Sequence, residues 1–275
     1  MSFFDRLADR ISTTDSVVCV GLDPALDRLP ASVQSADLPR WAFNRRIIDA
    51  THDHVAAYKP NIAFYEDPSG WRSLAETIAY AAGKDVPIIL DAKRADIGNT
   101  ARQYAKLLDP EAYGLSTASP DAITVNPFLG EDSLQPFLER PDKGVFILCR
   151  TSNPGGSDIQ DIVTDNGETV YERIATLASS WNTHDNVGLV VGATAPDELE
   201  TLRNRVPRLP FLVPGVGAQG GDAEAAVTYG LADGVGLVNS SRGIIFADPT
   251  GGEDFAVAAR AAAKQLQKRL HQFME

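Results

Sequence analysis

The sequence is short of lysine, cysteine, histidine and unbroken apolar stretches, and each shortage narrows what the protein can be. Its 25 basic residues are 7 Lys and 18 Arg against 37 acids, for a formal net charge of −12. That balance argues against non-specific nucleic-acid binding and against docking on an anionic membrane surface. No apolar run approaches the roughly 20 residues needed to span a bilayer. The 2 cysteines, Cys19 and Cys149, each lie inside an apolar, strand-like run. They read as buried reduced thiols of a cytoplasmic protein, not as a disulfide or a metal site. Among the 4 histidines, His52 and His54 stand two apart on a predicted helix, hence on different faces. With no Cys/His cluster, nucleophile elbow or Walker loop, neither a metal nor a cofactor is indicated. The opening "MSFFDRLADRIS" has early acids and no apolar core, so it does not read as a signal peptide. Phe3, Phe4, Leu7 and Ile11 recur there at helical spacing, and Ser2 with Asp5 makes a capping box.

What is present is a regular alternation. Eight short apolar runs, rich in β-branched residues, occupy 16–23, 55–63, 86–93, 122–128, 144–151, 187–194, 210–217 and 234–241. Helical patterns lie between them at 41–54, 70–82, 98–108, 168–181, 196–205, 221–230 and 254–272. Strands alternating with helices imply a parallel sheet with right-handed crossovers. Eight such units in a chain of this length predict an α/β fold, a closed (β/α)8 TIM barrel, with 1–275 as a single domain. No low-complexity linker or shift in composition divides it.

In such a barrel the functional groups gather at the C-terminal ends of the strands. Polar residues end the runs in order: Asp23; Lys59; Asp91, Lys93 and Asp96; Asn126; Thr151 and Ser152; Thr194; the glycine-rich "PGVGAQGG"; and "NSSRG". An acidic chain that binds an anionic ligand must concentrate positive charge locally, so the rare lysines matter most. Asp91 and Lys93 are two apart on a predicted strand and share a face. Taken alone, Asp96 reads equally well as a helix cap and Lys93–Asp91 as a solvated pair. Lys59 shifts the balance: Pro60 keeps its backbone extended, so the second strand carries a lysine to its tip. Two lysines and two aspartates on neighbouring strands would fix an ammonium, keep it charged and leave it ready to donate a proton.

Residues 215–220, "GVGAQG", match G-x-G-x-x-G, but at the seventh run and with no acid for a ribose after the eighth. The better reading is a phosphate grip, in which backbone N–H groups act together with the Arg242 guanidinium. Loops after strands seven and eight of barrels commonly serve this purpose.

D-x-K-x-x-D, as Asp91, Lys93 and Asp96 in "DAKRADIGNT", resembles the signature of orotidine 5′-phosphate decarboxylases. "GLDP" with Asp23, "YKPN" with Lys59, "SNPGG" with Ser152, "PGVGAQGG" with Gln219 and "SSRGIIFA" with Arg242 extend the resemblance over nearly the whole chain. Two departures look like a divergent bacterial or archaeal branch. The usual Gly-Arg-Ser is here Ser241-Arg242-Gly243, and the segment 152–167 is long. The resemblance implies cofactor-free decarboxylation of orotidine 5′-monophosphate to UMP in pyrimidine synthesis. In that reading Lys93 protonates C6, and Asp91 crowds the departing carboxylate and, with Lys59 and Asp96, holds Lys93. Asp23 and Lys59 bind ribose hydroxyls, Ser152 and Gln219 the pyrimidine, and Gln219 and Arg242 the phosphate. Asp96, Ile97 and Thr100 reach into a neighbouring subunit's site, so a homodimer with shared active sites is implied.

Two other readings compete. A phosphosugar aldolase or hexulose-phosphate synthase on a related barrel shares D-x-K-x-x-D but needs a magnesium site, usually an extra acid after the second run. Lys59 stands at that tip, with Glu66 a little further on. A non-catalytic nucleotide-binding sensor is the other, and it gains little from buried like charges.

Overall fold

The computed structural model describes residues 1–193, 196–216, 221–249 and 254–274. Eight parallel strands form one sheet: β1 (Val18–Leu22), β2 (Ala57–Pro60), β3 (Ile89–Arg94), β4 (Ala122–Val125), β5 (Gly144–Arg150), β6 (Val187–Val191), β7 (Phe211–Pro214) and β8 (Leu237–Ser240). Each falls within one of the eight apolar runs except β3, which continues one residue past its run to Arg94. Their hydrogen-bonded order is β2-β1-β8-β7-β6-β5-β4-β3. The free edges of β2 and β3 meet through the bridges Tyr58↔Ile88 and Asn61↔Asp91, with the Tyr58 N–H donating to Pro87 O at 2.9 Å. The result is a nearly closed (β/α)8 barrel, as the alternation predicts. β1, β2, β4 and β6 are buried at every position, which explains why they read as continuous apolar runs and not as alternating ones.

Helices Pro39–Thr51, Pro68–Ala82, Gly98–Ala105, Val170–Trp181, Pro196–Arg205, Ala223–Thr228 and Phe255–His271 correspond to the seven helical patterns. An eighth, Glu131–Leu138, carries Pro136 inside it. Leu134, Phe137 and Leu138 are buried, and that packing outweighs the proline's missing N–H.

The first helix, Phe3–Thr14, is capped as its sequence predicts: the Asp5 N–H donates to Ser2 Oγ, and the Ser2 N–H to Asp5 Oδ2. Its buried residues Phe3, Leu7 and Ile11 close the barrel at the strands' N-terminal ends. Phe3 lies edge-on to Phe146 at 5.9 Å, and a Cβ on Gly144 would come within 2.3 Å of the Phe3 ring. Glycine at the start of β5 thus makes room for a side chain whose burial contributes about 1.5–3 kcal/mol. Both cysteines are free and buried, and burial pushes the Cys19 thiol up to about 12.

Candidate active site

The strand tips carry one continuous chain of charge. Asp91, on β3, is 7% exposed, and both of its carboxylate oxygens are taken by ammonium groups. Lys59 Nζ on β2 donates to Oδ2 at 2.7 Å, and Lys93 Nζ donates to Oδ1 at 2.6 Å. Thr124 on β4 adds a third bond, its hydroxyl donating to Oδ1 at 2.9 Å. Burial alone would push the Asp91 carboxyl up, but Lys59 and Lys93 outweigh it and hold it well below the usual carboxylate range. Burial likewise works against the Lys59 charge, and Asp91 and Asp23 more than reverse it, raising that ammonium above its ordinary value. Asp91 and Lys59 are therefore both charged at neutral pH.

The backbone that presents Lys93 is not a regular strand. Leu90 pairs with Ile123 and Arg94 with Val125, so β3 spends two more residues than β4 over the same interval. Lys93 sits in this bulge with φ 49, the left-handed region that costs a side-chain-bearing residue roughly 1–2 kcal/mol. Its N–H donates to Thr124 Oγ1 at 3.0 Å. The Asp91–Lys93 pairing expected from simple alternation is thus present, but through a distorted turn of the chain.

Asp23 follows β1, and its carboxylate accepts from the Asn61 N–H at 3.3 Å. Tyr65 Oη donates to Leu22 O at 2.8 Å and in turn accepts from Asn44 Nδ2 at 2.8 Å, fixing the strand end that carries Asp23. Two cavities meet at Lys59, Asp91 and Pro214. One, of about 200 Å³, is polar and includes Asp23, Asn61, Ser240, Ser241 and Arg242. The other, of about 240 Å³, places Lys93, Thr124 and Ser152 opposite apolar Leu148, Val190 and Leu212. The ion chain thus lies at the waist between a polar cavity and a partly apolar one. Arg242 opens the short helix Arg242–Ile245 and is exposed. Asn239, on β8 beside it, is 7% exposed and its Oδ1 has no hydrogen-bond partner among the described residues.

Asp96 does not join the ion chain within the subunit. Its Oδ1 accepts from the Ile97 N–H at 2.8 Å, and it forms no ion pair among the described residues. Nor does it cap the following helix, whose N-cap is Ile97 without a side-chain bond. Ile97 is 62% exposed, and Thr100 is exposed beside it. Gln219 and Thr194 lie outside the described residues. Glu66, the acid a magnesium-dependent aldolase would call on, is paired with Arg94 at 2.6 Å. Thr124, Asn61 and Asn239 also line the site, and the sequence alone does not mark them as site residues. For Thr124 the one available signal is a hydroxyl inside an apolar run, two positions before Asn126.

Residues 16–253 match the model of the orotidine 5′-phosphate decarboxylase / HUMPS family. The chain is 68% identical to the orotidine 5′-phosphate decarboxylase of Haloarcula marismortui, over 99% of this chain and 100% of that one. It is 48% identical to the protein of that name from Herpetosiphon aurantiacus, over 95% of each. The solved structure of Leishmania donovani OMP decarboxylase superposes with a TM-score of 0.82 at 40% identity, covering 100% of this chain and 99% of that one. This chain belongs to the orotidine 5′-phosphate decarboxylase / HUMPS family.

Proposed function

We propose that this enzyme decarboxylates orotidine 5′-monophosphate to UMP and carbon dioxide, a step of pyrimidine biosynthesis, as one barrel domain spanning 1–275. The observation that carries the reading is Asp91, buried and bonded through both oxygens to Lys59 at 2.7 Å and Lys93 at 2.6 Å. A rigid ammonium beside a carboxylate is what the chemistry requires. The C6–carboxylate bond breaks, its electron pair stays on C6, carbon dioxide leaves, and the Lys93 ammonium gives its proton to C6. That carbanion has no electron sink, so the barrier reduction lies toward the upper end of the roughly 8–23 kcal/mol that enzymes supply. A charge fixed in advance, costing no reorganisation as the carbanion develops, is the strongest single contribution available. Asp91, charged and close, crowds the substrate carboxylate in the ground state.

The remaining roles follow the two cavities. Asp23 and Lys59 bind ribose hydroxyls and Arg242 the phosphate, in the polar cavity; Ser152 meets the pyrimidine in the other. Gln219 spans base and phosphate. Binding energy from the distant phosphate supports desolvation at the reacting carbon. Asp96, Ile97 and Thr100 serve the neighbouring subunit's site in a homodimer, a reading supported by the exposure of Ile97 and by Asp96 standing outside its own subunit's ion chain. The two buried thiols suit the reducing cytoplasm.

The test is the fall in orotidine 5′-monophosphate absorbance with purified protein, with and without EDTA. Turnover undiminished by EDTA is expected. No turnover in either condition overturns the reading, and turnover abolished by EDTA overturns its cofactor-free form.

A further inference from the structure

We infer that Thr124 is a positioning residue for the decarboxylation, acting through Asp91 and Lys93 and not on the substrate; this rests on the function proposed above. Three observations converge on it. Its hydroxyl donates to Asp91 Oδ1 at 2.9 Å, the same oxygen that accepts from Lys93 Nζ at 2.6 Å. The same hydroxyl accepts from the Lys93 backbone N–H at 3.0 Å. And it stands opposite the bulge, between Ile123 and Val125, where the main-chain ladder of β3 and β4 is interrupted.

The geometry assigns Thr124 a specific task. In a regular ladder the backbone of β4 would hold the backbone of β3. Here Lys93 has turned into the left-handed region, φ 49, and its N–H reaches a side chain instead. One hydroxyl therefore fixes both ends of the Lys93 residue: its main chain directly, and its ammonium by orienting the carboxylate that the ammonium bonds. Lys93 needs such a restraint more than Lys59 does, because its side chain is 46% exposed whereas that of Lys59 is 7% exposed. Thr124 itself is 1% exposed, so both of its hydroxyl's bonds are made inside the protein. Serine can make both bonds; valine, of nearly the same shape, can make neither.

The experiment compares Thr124→Val and Thr124→Ser with the parent protein for kcat and KM and for the affinity of UMP, which needs no proton transfer. Misplacing a reacting group by about 1 Å costs on the order of 10²-fold in rate. The expected result is a kcat loss of that order in Thr124→Val, with KM and UMP affinity held within a few-fold, and recovery of most of the loss in Thr124→Ser. A role only in stability would leave kcat per folded subunit unchanged, so parent-like kcat in Thr124→Val overturns the inference. So does a Thr124→Ser variant as slow as Thr124→Val. If Thr124→Val does not fold, Thr124→Ala replaces it, read against serine in the same way. Absence of turnover in the parent protein would instead strike at the proposed reaction itself.

Discussion

Replacing Asp91 with asparagine cuts the ion chain at its centre while leaving its shape. The amide keeps one acceptor oxygen, so it satisfies one ammonium and turns an NH2 toward the other. Lys59 is almost fully buried and cannot reach water, whereas the Lys93 side chain is 46% exposed and can swing out. The amide oxygen therefore goes to Lys59, and Lys93 is released. Removing one partner of a buried pair costs roughly 3–5 kcal/mol, and because Lys59 keeps a neutral acceptor the loss belongs near about 3 kcal/mol. The sign of the pH dependence follows from the depressed Asp91 carboxyl. Its stabilising contribution is present in full above about pH 4, where a free aspartate is ionised, and is lost as pH falls through the lower folded-state value. Urea unfolding of parent and Asp91→Asn proteins should show a constant gap from pH 5 to 8 that narrows progressively below about pH 4. Turnover at pH 7 should fall on the order of 10²-fold or more, because Lys93 is no longer held. A gap under about 1 kcal/mol at pH 7, the worth of an ordinary neutral hydrogen bond, would refute the buried ion chain. So would a gap that widens on acidification.

Lys93→Ala should abolish turnover while the folded protein still binds UMP by calorimetry, and more than a few per cent residual kcat would remove Lys93 as proton donor. Arg242→Ala should lower kcat/KM for the nucleotide by about 2–4 kcal/mol of lost charge-assisted bonding. The phosphate-free nucleoside orotidine should be nearly unaffected, and equal losses on both substrates would mean that Arg242 does not bind phosphate. A Lys93→Ala chain refolded together with an Asp96→Ala chain should recover about a quarter of parental activity, since half of randomly mixed dimers carry one intact site. Persistent inactivity despite demonstrated mixed dimers would return Asp96 to its own barrel.

The strands were legible because their signal is physical and strong: residues buried on both faces of a parallel sheet leave unbroken apolar runs, and the polar group that follows each run marks its C-terminal end. Lys59 and Asp91 were found by that rule. The helix Glu131–Leu138 was hidden by Pro136, since local backbone chemistry opposes a helix and only the burial of Leu134, Phe137 and Leu138 decides for it. Thr124 left almost no trace, because a lone threonine among β-branched neighbours is ordinary strand composition. The left-handed backbone of Lys93 left none, as sequence reserves that conformation for glycine and asparagine and here tertiary bonding imposes it on a lysine.

The closure of the barrel at β2 and β3 has a consequence of its own. Every other neighbouring pair of strands shares a run of ladder bonds, but this joint is held by two single bridges and by groups that cross it: Lys59 to Asp91, and Arg94 to Glu66. The Asn61↔Asp91 bridge ends on the same aspartate. If a cyclic sheet unzips, it parts first where fewest bonds must break, and here that step also separates an ammonium from its counter-ion. Native-state amide exchange should therefore find the amides along this joint the earliest of the strands to open. Any change that weakens the joint would stop turnover before it unfolds the chain, so loss of activity would run ahead of loss of structure on heating.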